Sequence, residues 1–434
     1  VALMSQLSRI PQLPRIPLLP DPLRRIRVPR DLDAVTDRGS EVDPRDVGMD
    51  PRSIDRIWNT AVDLYRSGVH PAIQLCVRRE GQVVLNRSIG HSDGNGPGDG
   101  PSTPRTAATT QTPFGICSAS KAITAVVAHL LAERGVIDLD IPVGEYIPDF
   151  ARHGKESITI AHLLSHRAGI PLHPAAAMDL DHLDDRAAVI GAMCETRPVF
   201  RPGRQLAYHA VTGGIVIGEV VERVTGDNIR TVLAREILDP LGFRWTNYGV
   251  DPADDASVGK NYVTGLPTLP PLSLILGRIL GTSVEHTVRL TNDRRFLTSV
   301  VPSGNVVTTA EELSRFFELL RRGGELDGVR VLNPGTVARA IAPTAELEVD
   351  CSLGVPLRYS RGFMLGERRF SLWGPDTANL FGHLGLSNVL GWADPDRAVS
   401  VGLITSGKPV LYPEMFTFLA IPARIATETP KTVR

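Results

Sequence analysis

The chain has 434 residues, 42% of them hydrophobic, and a formal net charge of -1. That length and apolar content allow one large or two ordinary domains with a substantial core, and the charge balance excludes the concentrated basic excess of a nucleic-acid binder. Cys76, Cys117, Cys194 and Cys351 show no CxxC spacing, so reduced thiols are expected, with neither a zinc site nor a disulfide framework.

Residues 1–45 read as an N-terminal Pro- and Arg-rich arm. Its first thirty residues lack the apolar core and small-residue cleavage site of a secretory leader, so a cytoplasmic location is expected. Arg9, Arg15, Arg24, Arg25, Arg27 and Arg30 alternate with Leu, Ile and Pro. Such an arm could touch an anionic membrane peripherally, but prolines interrupt the helix that this would need, and an arm lying along the body is favoured.

The globular part begins near Asp50-Pro51, an N-cap followed by proline at the first helical position, leading into "SIDRIWNTAVDLYRSG". "PAIQLCVRRE" and "GQVVLNRSIG" read as a β-hairpin hinged at Glu80-Gly81, and residues 91–112 as a loop. "GICSASKAITAVVAHLLAERG", from Gly115 to Gly135, is apolar on every side from Ala122 to Ala132, the pattern of an enclosed helix, yet Ser118 and Lys121 stand at its head. "TIAHLLSHRAGI", "DDRAAVIGAMCE", "GGIVIGEVVERVTG" and "IRTVLAREILDPLG" carry helical spacing. "TLPPLSLILGRILG" is too short to span a bilayer. "RRFSLWG", "NVLGWADPD" and "AVSVGLITSG" have β character, with Asp394-Pro395-Asp396 as the last turn. The expected organisation is an α/β subdomain from residues 46–115 and 301–434 with a helical subdomain, 116–300, inserted.

Ser-x-x-Lys occurs twice. The copy at Ser257 and Lys260 lies in a polar stretch with no helix behind it and is a decoy by context. The copy at Ser118 and Lys121 has that helix. Only five lysines occur, at 121, 155, 260, 408 and 431, so arginine serves as the cation almost everywhere else. Arginine cannot accept a proton, whereas a desolvated lysine can become a base near neutral pH. Positions i and i+3 share a helix face, and the helix N-terminus favours an oxyanion beside Ser118.

These residues resemble the serine β-lactamase and penicillin-binding-protein superfamily, in its class C-like branch that includes carboxylesterases. The resemblance runs from about Asp50 to Ile425 through "FGICSASKAITA", "ITIAHLLSHRAGI", "FRPGRQLAYHAVTGGIVIGEVVERVTG", "DPLGF", "VPSGNVVTTAEELSRFFELL" and "FGHLGLSNVLGWADPD". It implies an α/β (α+β) β-lactamase/transpeptidase-like fold, an antiparallel sheet flanked by helices. It makes Ser118 the nucleophile, Lys121 its partner and Tyr208 the phenol that shuttles protons. The backbone N–H groups of Ser118 and Leu386 would form the oxyanion hole, and His383, Gly385 and His209 would bind substrate. For Tyr208 to act as a phenolate, the charge of Lys121 would have to lower its pKa.

Two departures matter. Tyr208-His209-Ala210 replaces Tyr-x-Asn, removing the amide that grips an acylamino side chain, and His383 replaces the usual third-motif lysine, leaving a poor carboxylate anchor. Both favour an ester substrate, of small to medium acyl size, with Leu266 to Leu280 as a segment lining an apolar pocket. No cofactor or metal is required. A β-lactamase or D-alanyl-D-alanine peptidase is the enzymatic alternative, and a non-catalytic binding protein on the same fold the other. The Gly-x-Ser-x-Gly elbow of an α/β-hydrolase is missing, and His162 with His166 supply only two of the ligands that a metal site needs.

Overall fold

The computed structural model describes residues 21–432 except 173, 175–179, 181, 182, 184, 370 and 411. Arg9 and Arg15 of the expected arm lie outside the described residues. From residue 21 the arm is built into the body: Leu23 and Ile26 are buried, and β1 (Thr36–Arg38) pairs with β3. The expected boundary at residue 45 therefore falls too late.

Helix α1 (Pro51–Arg66) starts as its sequence dictates, with Asp50 accepting a hydrogen bond from Arg52 N and Pro51 in the first turn. The hairpin follows as β2 (Ala72–Arg79) and β3 (Gln82–Asp93), and the left-handed Glu80-Gly81 pair turns it. β4 (Thr106–Ala107) adds to β3. The remaining strands of this sheet are β5 (Met364–Leu365), β6 (Phe381–Gly385), β7 (Val389–Asp394) and β8 (Val399–Thr405). They complete an antiparallel sheet in the order β1-β3-β2-β8-β7-β6-β5. The two ends of the chain thus meet where β2 pairs with β8 in the middle of the sheet.

Alternate side chains go to opposite faces, as the two-residue period requires. Ile73, Leu75, Val77, Val401 and Leu403 join one cluster with α1 and α7 (Met415–Glu428). Ala72, Cys76 and Ile404 join another, built on α2 (Ser120–Glu133) and α6 (Ala310–Arg321). A Cβ on Gly402 would lie 2.2 Å from Ala310 O, so the absence of a side chain lets α6 settle on β8.

Between these halves come α3 (Arg186–Glu195), α4 (Thr212–Thr225) and α5 (Leu272–Leu280). "TIAHLLSHRAGI" yields only one helical segment, Ile160–Leu164, because His166 adopts a left-handed conformation and ends it. "RRFSLWG" forms turns rather than a strand over its described residues. Of the apolar Leu266 to Leu280 segment, Ile279 alone among the large aliphatic residues is fully buried, while Leu266, Leu269, Leu274 and Ile275 face solvent. The lining role expected of the segment thus shrinks to its inner face. Among the described residues no helix is long and apolar enough to cross a membrane, and all four cysteines are free thiols.

Candidate active site

Ser118 sits just ahead of the long helix, in a tight 3-10 turn over Cys117–Ala119, and α2 begins at Ser120. Cys117 has a φ of 49°, a left-handed conformation that costs a residue with a Cβ about 1–2 kcal/mol. The surroundings hold it there. Ser120 Oγ donates to Cys117 O at 2.5 Å and accepts from Val306 N at 3.0 Å, while Ile116 N donates to Val306 O at 2.9 Å. On the other side β6 lies directly against the turn: a Cβ on Gly385 would be 2.1 Å from Ile116 O. Leu386, next in the chain, has a backbone N–H with no protein acceptor among the described residues.

One helical turn on, Lys121 Nζ lies 3.1 Å from Ser118 Oγ and donates to Ser303 O at 2.9 Å. That carbonyl is fixed by its own side chain, since Ser303 Oγ donates to Val211 O at 2.7 Å and accepts from Gly214 N at 3.1 Å. No acidic side chain pairs with Lys121 among the described residues. Desolvation is the largest influence on the amine, which falls from 10.5 to about 7. About half of it is then neutral at pH 7.

Tyr208 approaches from the second motif, with its ring centroid 5.1 Å from Lys121 Nζ. Its backbone is gripped from outside the motif: Tyr208 N donates to Asp350 Oδ1 at 3.2 Å, and Ser352 Oγ donates to Tyr208 O at 3.4 Å. Burial pushes the phenol well above its ordinary value, and a hydrogen bond with Ser118 offsets only part of this. Burial thus favours the neutral phenol over the phenolate that the charge of Lys121 would have to sustain. A half-neutral amine lacks the positive field needed to ionise a buried tyrosine.

Ser118, Lys121, Tyr208 and the turn at Leu386 thus converge, but the three residues expected to touch substrate are enclosed. His209 turns inward, its Nε2 accepting from Ile170 N at 3.1 Å. His383 is 1% exposed, with its Nδ1 2.8 Å from Leu384 O, and Gly385 packs against the turn that carries Ser118. Burial lowers both histidines to about 3, so neither carries charge at neutral pH.

His166, Asp350 and Ser303 complete the site, and the sequence reading missed all three as site residues. His166 lies parallel to His209 at 5.8 Å, tilted against Tyr208 at 4.7 Å and edge-on to Tyr359 at 4.9 Å, and its Nδ1 accepts from His209 N at 3.2 Å. The other histidine of the metal pair, His162, caps a helix instead, where its Nδ1 accepts from Thr159 N at the start of Ile160–Leu164. Asp350 lies 142 residues from Tyr208, beyond the reach of any local pattern. The decoy lysine, Lys260, is exposed and pairs with Asp93 at 2.7 Å.

Known proteins carry the same arrangement of chain. The Beta-lactamase family model matches residues 55–421. The esterase/beta-lactamase LipL of Mycobacterium tuberculosis is 29% identical over 314 residues, 67% of this chain and 68% of its own length. Esterase EstB of Burkholderia gladioli is 27% identical over 54% of this chain and 60% of its own. Among solved structures, a family VIII carboxylesterase superposes with a TM-score of 0.72 at 25% identity, covering 86% of this chain and 97% of that one. With a match across most of its length, the chain belongs to the Beta-lactamase family and is a serine hydrolase.

Proposed function

We propose that the protein is a serine carboxylesterase that cleaves small to medium acyl esters through an acyl-enzyme on Ser118. The observation that carries this reading is the amine of Lys121, lowered to about 7 and 3.1 Å from Ser118 Oγ. A neutral amine at that distance is a competent general base. LipL, EstB and the family VIII carboxylesterase support the choice of ester. So does the lack of a cation at His383, which removes the anchor for a substrate carboxylate.

In this mechanism Ser118 Oγ attacks the ester carbonyl carbon as its proton passes to Lys121. The carbonyl oxygen becomes an oxyanion held by the N–H groups of Ser118 and Leu386. The tetrahedral intermediate collapses, breaking the bond to the alcohol oxygen, which takes the phenolic proton of Tyr208. Lys121 then returns its proton to Tyr208, leaving the acyl group on Ser118. Water attacks that ester by the reverse route, and Ser118 leaves with a proton restored. His209, His383 and Gly385 hold these groups in place rather than touching substrate.

Kinetics on p-nitrophenyl esters from acetate to palmitate, beside a chromogenic cephalosporin, test the reading. Ester hydrolysis far faster than cephalosporin hydrolysis is expected. The reverse ranking would make the protein a β-lactamase. A fluorophosphonate probe that leaves Ser118 unlabelled, with no turnover of either class, would make it a binding protein.

A further inference from the structure

Two apolar segments turn large side chains to solvent, and the hydrolytic reading does not account for them. Among the described residues, six of the thirteen large hydrophobic side chains that face solvent are Leu266, Leu269, Leu274, Ile275, Met415 and Phe416, with Leu269 at 66% and Leu274 at 62% exposure. They belong to two segments far apart in sequence, which residues 21–26 tie together. Gly265 N donates to Leu23 O at 2.7 Å, Arg24 pairs with Glu285 at 3.6 Å, and Arg25 acts on the carboxyl of Glu414. Inside, Ile279 of α5 and Tyr412 join one buried cluster.

Helix α5 has its amphipathicity reversed. Leu274, Ile275 and Arg278 form its solvent face, while Ile279 points in. From residue 263 to 284 there is no acidic residue and one cation, Arg278. Arg27, Arg278 and Arg289 are exposed, and none has an acidic partner among the described residues. The nearby acids are partly engaged: Glu285 holds Arg24, Asp21 holds Arg25 at 2.7 Å, and Glu414 is half-buried. Monomeric proteins rarely leave large apolar surfaces to water. A patch edged by unpaired arginines fits a surface with apolar depth and negative charge, the combination that an anionic bilayer presents.

We propose that this face docks on an anionic lipid surface. Leu274, Ile275 and Phe416 enter the boundary between headgroups and acyl chains, and Arg278 and Arg289 meet lipid phosphates. The inner face of the same helix is anchored through Ile279 in the buried core. The inference does not depend on which bond Ser118 cleaves.

Co-sedimentation of the full chain with vesicles of phosphatidylglycerol and phosphatidylcholine in equal parts, against phosphatidylcholine alone, is the test. Binding to the anionic vesicles is expected, weakening as salt is raised. The variant Leu274→Glu/Ile275→Glu should lose at least roughly tenfold in binding, because two apolar contacts become repelling charges. These side chains are exposed, so hydrolysis of a soluble short-chain ester, or labelling of Ser118 by a fluorophosphonate, should be unchanged and report an intact fold. Failure of the wild-type chain to bind, equal binding by the variant, or equal binding to neutral vesicles would overturn the proposal. A wild-type dimer that the variant breaks, with no vesicle binding, would overturn it in favour of a second copy on this face.

Discussion

Replacing Lys121 is the sharpest test of how the site works. At its ordinary value of 10.5 the amine would be neutral in roughly one molecule in 3,000 at pH 7, whereas at about 7 it is neutral in about half. Burial therefore raises the supply of base by about three orders of magnitude at pH 7. Because the neutral form is the active one, kcat/KM for a short ester should climb as pH rises through about 7 and level off above 8. The assay is initial-rate ester hydrolysis from pH 5.5 to 9.5, followed at the isosbestic wavelength of the released phenol. Lys121→Arg keeps the charge and the reach to Ser303 O but cannot accept the proton, so activity should fall by roughly a thousandfold or more at every pH. An inflection near 10, a flat profile, or an arginine variant within tenfold of wild type would refute the neutral-amine mechanism.

Tyr208→Phe removes the phenolic proton without disturbing the buried ring, and kcat should drop roughly 100- to 10,000-fold with KM little changed; an unchanged kcat would take the phenol out of the mechanism. Asp350→Ala leaves the N–H groups of Tyr208, Ser352 and Leu353 without their shared acceptor. It should cost about 1–3 kcal/mol in urea unfolding and lower kcat more than it raises KM. Gly385→Ala places a methyl 2.1 Å from Ile116 O, so fluorophosphonate labelling of Ser118 should slow sharply; normal labelling would show that β6 can retreat without cost. Glu312 accepts from Arg244 N, Trp245 N and Thr246 N. Glu312→Ala should lower stability by about 2–4 kcal/mol in the same unfolding assay while leaving the pH profile unmoved.

Much of the site was legible because its chemistry is local. Ser118 and Lys121 lie one turn apart on an enclosed helix, and the scarcity of lysine marks that amine as purposeful. The hairpin, α1, β7 and β8 were legible for the same reason, since turn residues, a proline-led cap and β-branched runs act over a few positions. "RRFSLWG" misled because strand propensity reflects packing against neighbours, and over its described residues this stretch forms turns instead.

By itself the sequence carried the family and the hydrolytic class of the chemistry and singled out Ser118 and Lys121 as candidates, all of which rest on residue types at fixed short spacings. Tertiary structure alone decided that Tyr208, His209 and His383 are buried. It also decided that Asp350 reaches across 142 residues to hold the phenol's backbone, and that apolar side chains gather outside α5. Each of those depends on how much water a group loses and which distant group replaces it. Desolvation and long-range hydrogen bonding are set by the packed chain as a whole and leave no trace in neighbouring residues.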